Sequence, residues 1–268
     1  MSKRLIVGCI AAVALVAAGS ALAITGGQRD GNGHPNVGAM MAYWDPTTPN
    51  TLQELCSGTL VAPQVFLTAA HCTDYLLNTL GITDVWVTFN TNSAVGPYIH
   101  GRMVQDPAFN NDKPTSDPND IAVILLDKVP KGITPAKLPP VGLFDAMKAN
   151  GTLTQSSTFT AVGYGDGERQ HTSGSGTPTF YFDGYRWVAT SFFNSLQNNW
   201  LRLTQNQSVG AGGTCFGDSG GPDFLGASQT IAGTTITGDT ACASTNVDLR
   251  MDTQSAQDFL AQFGVPRG

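Results

Sequence analysis

Gly213-Thr214-Cys215-Phe216-Gly217-Asp218-Ser219-Gly220-Gly221-Pro222 sets a serine between an aspartate and two glycines, in a stretch with almost no bulky side chains. Glycine permits backbone dihedrals that other residues resist, and it lets a carbonyl group approach the main chain closely. A serine hydroxyl is a weak nucleophile unless a base and an orienting acid stand beside it. Thr68-Ala69-Ala70-His71-Cys72 offers a histidine for the first role, and Asn119-Asp120-Ile121-Ala122-Val123 an aspartate for the second. A lone histidine or aspartate is more often structural than catalytic. Three such segments in the order His, Asp, Ser carry more weight.

The 268 residues are 41% hydrophobic, enough to bury a core and to exclude a disordered chain. Length alone implies one or two domains. Only 13% of residues are charged, which suits a β-rich extracellular protein with a weakly charged surface. The net charge is −6 and no run of Lys or Arg occurs past residue 4, so nucleic acid and anionic membrane surfaces are not expected partners. Lys3-Arg4, an apolar run over residues 5–18, and Ala21-Leu22-Ala23 read as a signal peptide over residues 1–23. A retained anchor over residues 5–24 is the weaker reading. Weaker still is a lipoprotein attachment at Cys9, because the apolar run follows that cysteine. Cleavage after Ala23 leaves Cys56, Cys72, Cys215 and Cys242, an even number in an oxidising compartment, with three possible connectivities.

Short apolar stretches broken by Gly and Pro over residues 36–43 and 58–70 read as strands. Val85-Trp86-Val87 lies in a strand-like alternation, and the apolar run 121–126 predicts a strand buried on both faces, with Asp120 at its edge. Residues 186–193, 200–203 and 230–237 also read as strands, and residues 165–184 as a long exposed loop open to nicking. At the C-terminus Ala256, Phe259, Leu260 and Phe263 recur at helical spacing, with Thr253 or Asp252 as the cap. No metal-ligand cluster is evident, and His34, His100 and His171 read as surface or loop residues.

Taken together, these segments resemble the chymotrypsin-like (trypsin-fold) serine proteases, from Ile24 to the terminal helix and most weakly over residues 90–105 and 165–195. The resemblance implies an all-β fold: two packed antiparallel six-stranded β-barrels with a C-terminal α-helix. A protease domain would then span residues 24–268, its halves crossing near residues 138–150, where Leu138-Pro139-Pro140 stands. Asp106-Pro107-Ala108-Phe109-Asn110 is similar to the family's segment preceding the aspartate, and Gly163-Tyr164-Gly165 to the start of its second barrel. The family selects the pairings Cys56–Cys72 and Cys215–Cys242. It also implies Ser219 as nucleophile, His71 as base, Asp120 as orienting acid, and the amides of Gly217 and Ser219 as oxyanion hole, following the family's well-worked mechanism. No cofactor or metal is implied. Ile24-Thr25-Gly26-Gly27 is similar to the new N-terminus released on activation, whose ammonium pairs with the aspartate beside the nucleophile, here Asp218. Signal cleavage alone would expose Ile24, so no separate zymogen step is expected.

The specificity pocket implied by the resemblance has Gly213 at its base, followed by Thr214, with Gly238 on the wall. The aspartate that selects Arg and Lys is absent, so large apolar or aromatic side chains are expected. Asn246 and Asp248 stand as candidates for the pocket's far end, where a carboxylate would restore some basic preference. Ile236-Thr237-Gly238 replaces the family's Ser-Trp-Gly, so the surroundings of Asp120 must differ. The expectation is a secreted, monomeric serine endopeptidase acting on proteins or peptides, with protein protease inhibitors as further partners and no membrane association after signal cleavage. The alternatives are a catalytically silent binding protein on the same fold and an esterase for small acyl substrates.

Overall fold

The computed structural model describes residues 24–112, 117–167, 180 and 182–268. The signal peptide expected over residues 1–23, His171 and much of the loop expected over 165–184 lie outside the described residues.

A short strand β1 (Gln28–Arg29) precedes two antiparallel barrels. The first contains β2 (Val37–Ala42), β3 (Gln53–Ala62), β4 (Val65–Thr68), β5 (Val85–Thr88), β6 (Ile99–Gln105) and β7 (Ala122–Leu126), closed in the order β2-β3-β4-β7-β6-β5. The second contains β8 (Thr158–Gly163), β9 (Trp187–Leu196), β10 (Trp200–Thr204), β11 (Pro222–Leu225), β12 (Ile231–Gly238) and β13 (Thr245–Arg250). Its order is β9-β10-β13-β12-β11-β8, and β8 pairs back to β9 to close the ring. Strand β1 adds to β9 in the register Gln28↔Val188. Closure leaves few unpaired strand edges, which suits a chain with many short strands. This is the two-barrel, six-stranded fold expected from the sequence.

The apolar run leading into β7 behaves as predicted: Ile121, Ala122, Val123 and Ile124 are buried on both faces between β4 and β6. Met40, Leu60, Phe66, Val85, Val87 and Ile124 fill the first barrel. Phe144, Phe159, Leu201, Leu203 and Ala232 fill part of the second. A third cluster joins the two, with Val37, Leu67 and Val123 on one side and Tyr164, Phe224 and Leu249 on the other. This is the layer that fixes the cleft.

Arg186 pins the same interface. Its side chain is fully buried, donating from Nε to Asp30 Oδ2 (2.8 Å), from Nη1 to the carbonyls of Val37 (3.0 Å) and Phe89 (3.2 Å), and from Nη2 to the Gly31 carbonyl (2.8 Å). Tyr164 adds a hydroxyl bond to the Asn90 carbonyl at 2.6 Å.

Helix α1 (Ala70–Asp74) runs into a π-helical segment, Tyr75–Leu80, ended by Gly81. The crossing near residues 138–150 contains a helix that the sequence reading lacks, α2 (Leu143–Ala149), whose Phe144 amide donates to Asp252 Oδ2 at 2.8 Å. Helix α3 (Gln254–Ala261) follows β13, and Thr253 is its cap, accepting from the Ala256 amide at 3.3 Å. Asp252, the other candidate cap, is instead held by Arg250 and the α2 amide.

Candidate active site

Strand β4 ends at Thr68, the chain turns through an extended Ala69, and α1 begins, which puts His71 in its first turn. The Cys56–Cys72 disulfide ties that turn to β3. Asp120 stands at the entry to β7, fully buried, behind a turn in which its amide donates to the Asp117 carbonyl (3.2 Å). Its carboxylate grips His71 at two points: Oδ1 accepts from the His71 amide (2.9 Å), and Oδ2 lies 2.8 Å from Nδ1. A carboxylate accepts, so Nδ1 donates and Nε2 is left as an acceptor. The His71 side chain is 23% exposed, enough for Nε2 to meet a substrate. The backbone grip supplies a support for Asp120 other than the side chain at Ile236, which is buried and apolar.

Ser219 lies in the loop before β11. Gly217 and Gly220 have φ of +91° and +80°, conformations that a side chain resists. The Ser219 carbonyl accepts from the Ser57 amide (2.9 Å), and the Cys72 sulfur lies 3.9 Å from that carbonyl. The Ser219 loop therefore packs on the turn that carries His71. Within the loop, the amides of Asp218, Gly220 and Gly221 donate to Cys215, Thr235 and Asp218 carbonyls. Those of Gly217 and Ser219 have no acceptor among the described residues. Amides without a protein acceptor beside a serine suit a developing oxyanion.

Ser57 was not anticipated. It joins β3 to this loop through its amide and through its hydroxyl, which donates to the Gly217 carbonyl (3.1 Å) and accepts from the Tyr164 amide (3.0 Å). The Cys215–Cys242 disulfide brackets the other side.

Asp218 is fully buried, and its carboxylate accepts from the amides of Gly165 and Cys215, each at 2.9 Å. Burial pushes its carboxyl up to about 7; the two amides offset this only partly, while the charges of Asp166 and Asp223 add to it. Ile24 is fully buried against Trp187 and Ala189, and Thr25 exchanges two 2.9 Å bonds with Gly213. The chain here continues through residue 23, and no ion pair joins Ile24 to Asp218.

A pocket of about 190 Å³ opens beside Ser219, between Thr214–Phe216 and Thr235–Asp239, with Thr240 and Cys242 at its edge. Thr214 and Gly238 are among its lining residues. Gly213 lies behind the lining, packed so that a Cβ there would come 2.5 Å from Gln205 Oε1. Asn246 and Asp248 do not reach the pocket. Both point into the second barrel, where Asn246 Nδ2 donates to Asp223 Oδ2 (2.7 Å) and Asp248 Oδ1 (2.9 Å). Burial raises Asp223 to about 6 and Asp248 well above the usual range, the Asp223 charge adding to the second. The carboxylate that does line the pocket is Asp239, which the sequence reading missed. The amides of Ala243, Ser244 and Thr245 already engage it, and these bonds outweigh burial and hold its pKa low.

Across Gly217 lies a second cavity of about 670 Å³, bordered by Glu54, Asp166 and Asp183. Glu54 is 9% exposed, and neither carboxylate oxygen has a hydrogen-bond partner. Burial pushes its carboxyl well above the ordinary range, and the Asp218 charge pushes it further. Elsewhere His34 is half-buried, stacked on Phe224 and 2.5 Å from Asp30 Oδ1, so it is a packed loop residue. His100 lies on β6 between Asp84 and Asp127. Cys56, His71 and Cys72 come close enough to suggest a metal set, but the two sulfurs are bonded to each other. Among the described residues no helix is long and apolar enough to cross a membrane.

Two solved structures share this architecture. Neuropsin, a serine protease expressed in the limbic system of mouse brain, is 19% identical, with a TM-score of 0.67 over 90% of this chain and 100% of that one. HL collagenase is 19% identical, with a TM-score of 0.64 over 91% of this chain and 100% of that one. At such identities the likeness is one of fold. A family model described as Trypsin matches residues 27–260, nearly the whole of the two barrels and their closing helix, and the chain belongs to the trypsin family of serine proteases.

Proposed function

We propose that this chain is an exported, monomeric serine endopeptidase that cleaves proteins and peptides through Ser219, His71 and Asp120. The observation that carries the reading is the two-point grip of buried Asp120 on His71, beside a loop whose Gly217 and Ser219 amides lack protein acceptors. Ser219 Oγ attacks the scissile carbonyl while His71 Nε2 takes its proton. The resulting oxyanion receives hydrogen bonds from the Gly217 and Ser219 amides, and Asp120 stabilises the charged imidazole. His71 then passes the proton to the leaving amine. Water, activated by the same histidine, releases the acyl group from Ser219.

Removal of residues 1–23 frees the Ile24 ammonium, which turns inward to pair with Asp218 and holds the oxyanion loop in shape. The pocket lined by Thr214 and Gly238 takes the side chain on the acyl side of the bond. Among the described lining residues Asp239 is the one carboxylate, and loop amides already engage it, so uncharged apolar side chains are favoured over Arg or Lys. Two disulfides fit an oxidising destination outside the cell.

Cleavage-site profiling of the processed protein on a mixed peptide library, with Ser219→Ala as control, tests the reading. The expected result is cutting after aromatic residues or Leu that disappears in the variant. Cutting that persists in Ser219→Ala would remove the serine mechanism, and cutting after Arg or Lys would overturn the pocket assignment.

A further inference from the structure

The larger cavity has no role in the mechanism above. Gly217 lines it and also carries one of the loop amides left without an acceptor, while Phe216 lines both this cavity and the smaller pocket. The smaller pocket leans on β12 of the second barrel, whereas the cavity leans on the first barrel through Met41 of β2 and Glu54 of β3. A peptide whose acyl side occupies the smaller pocket, and whose scissile carbonyl meets the Gly217 amide, continues past Gly217 into this cavity. The cavity is therefore on the leaving-group side.

Its chemistry is one-sided. Met41, Trp44, Leu52, Phe182 and Phe216 supply apolar walls, and Glu54, Asp166 and Asp183 are its titratable lining residues, with no Lys, Arg or His among the described ones. Asp183 is already answered, accepting from Arg29 Nη2 (2.9 Å) and from Trp187 Nε1 (3.1 Å). Asp166 has no ion pair. Glu54 is nine-tenths buried with both oxygens unpartnered, and Oε1 would lie 3.5 Å from a Cβ built on Gly217, which places the carboxylate beneath the oxyanion loop. A buried carboxyl without a partner is costly to a fold and marks a place for a ligand that supplies donors. An inorganic cation needs neither the volume nor the apolar walls. A Lys or Arg side chain uses both, its methylene stem against the walls and its cationic head at the carboxylates.

We infer that this cavity is a subsite for a Lys or Arg side chain of the substrate, carboxyl-terminal to the scissile bond, read by Glu54 and Asp166. The inference rests on the endopeptidase reading and adds a second determinant of specificity to it.

The test uses paired fluorogenic peptides with the same acyl side, carrying Arg or its neutral isostere citrulline at each of the first three positions after the cut. An anilide with no residue beyond the bond calibrates each variant for chemistry. Charge-assisted bonds of this kind predict that the processed enzyme cuts one Arg peptide about tenfold faster in kcat/KM than its citrulline partner. Glu54→Gln and Asp166→Asn should each reduce that ratio. A ratio near one in the wild type overturns the inference, as does a ratio unchanged in both variants. If no substrate, the anilide included, is cut, the endopeptidase reading fails by itself, and calorimetry of the two peptides on Ser219→Ala still reads the cavity. Tighter binding of the Arg peptide that Glu54→Gln weakens supports the subsite. Equal binding overturns it, as does one-to-one Ca²⁺ binding at Glu54 without any Arg preference.

Discussion

Asp218 adjoins Ser219, buried without a cation among the described residues, and its two amide bonds do not make good the lost hydration. Its folded pKa of about 7 exceeds the ordinary 3.8, so between these values the folded chain holds a proton that the unfolded chain has released. Stability from this group is therefore complete below about pH 4 and lost as pH rises through 7. Urea titrations of Ser219→Ala carrying residues 1–23 should show a midpoint falling over that window, and the added change Asp218→Asn should flatten the fall. Asp223 titrates in the same direction and leaves a residual slope. An unchanged slope in Asp218→Asn would show that Asp218 is already charge-paired before processing. Residue types were the most legible part of the site: a serine among glycines, a histidine beside a cysteine and an aspartate before an apolar run. Glu54 and Ser57 carry no such local mark, because what makes them notable is the loop of the other barrel that each one meets.

Among the elements, β7, β5 and α3 could be read from hydrophobic period, and β13 could not. Its sequence Thr-Asn-Val-Asp-Leu-Arg alternates, but Asn246, Asp248 and Arg250 are buried along with Val247 and Leu249, so both faces turn inward and the polar face imitates an exposed one. The partners that permit this are Asp223 and Thr235 from β11 and β12, with Asp252 and Asp145 beyond them. Helix α2 is short and its first residue follows a left-handed Gly142 with no side-chain cap, so neither period nor cap announced it. Helix α3 has both. Thr253→Ala removes the acceptor for the Ala256 amide and should lower stability by about 1 kcal/mol, read as a shifted denaturant midpoint at constant slope. No shift would mean that packing of Phe259 and Leu260 holds the helix by itself.

At the scale of the whole molecule, the cleft exists because two closed barrels share one apolar layer and one buried cation. Arg186→Met keeps the volume but takes the arginine from Asp30, leaving that carboxylate with His34 alone, and strands the carbonyls of Val37, Phe89 and Gly31. The loss expected from breaking such a buried pair is about 3–5 kcal/mol. Measured in guanidinium chloride, a loss below 1 kcal/mol would show that the apolar layer alone aligns the barrels. The double variant Asp30→Asn/Arg186→Met should recover part of the loss, since it removes a buried carboxylate that has lost its arginine.

The sequence by itself determined which side chains are available for acyl transfer, which cysteines can pair, and most strands of two barrels. These follow from residue chemistry and from periods that act within a few positions. Tertiary structure alone decided the environment of the buried charges. It put Asp248 inside the barrel and Asp239 on the pocket, gave Asp218 two amides, and left Glu54 unanswered at a cavity. A buried polar group is defined by its partner, and here partners stand far apart in the chain: Ser57 and Gly217 are 160 residues distant. Local pattern holds no record of such pairings, because closure of the barrels creates them.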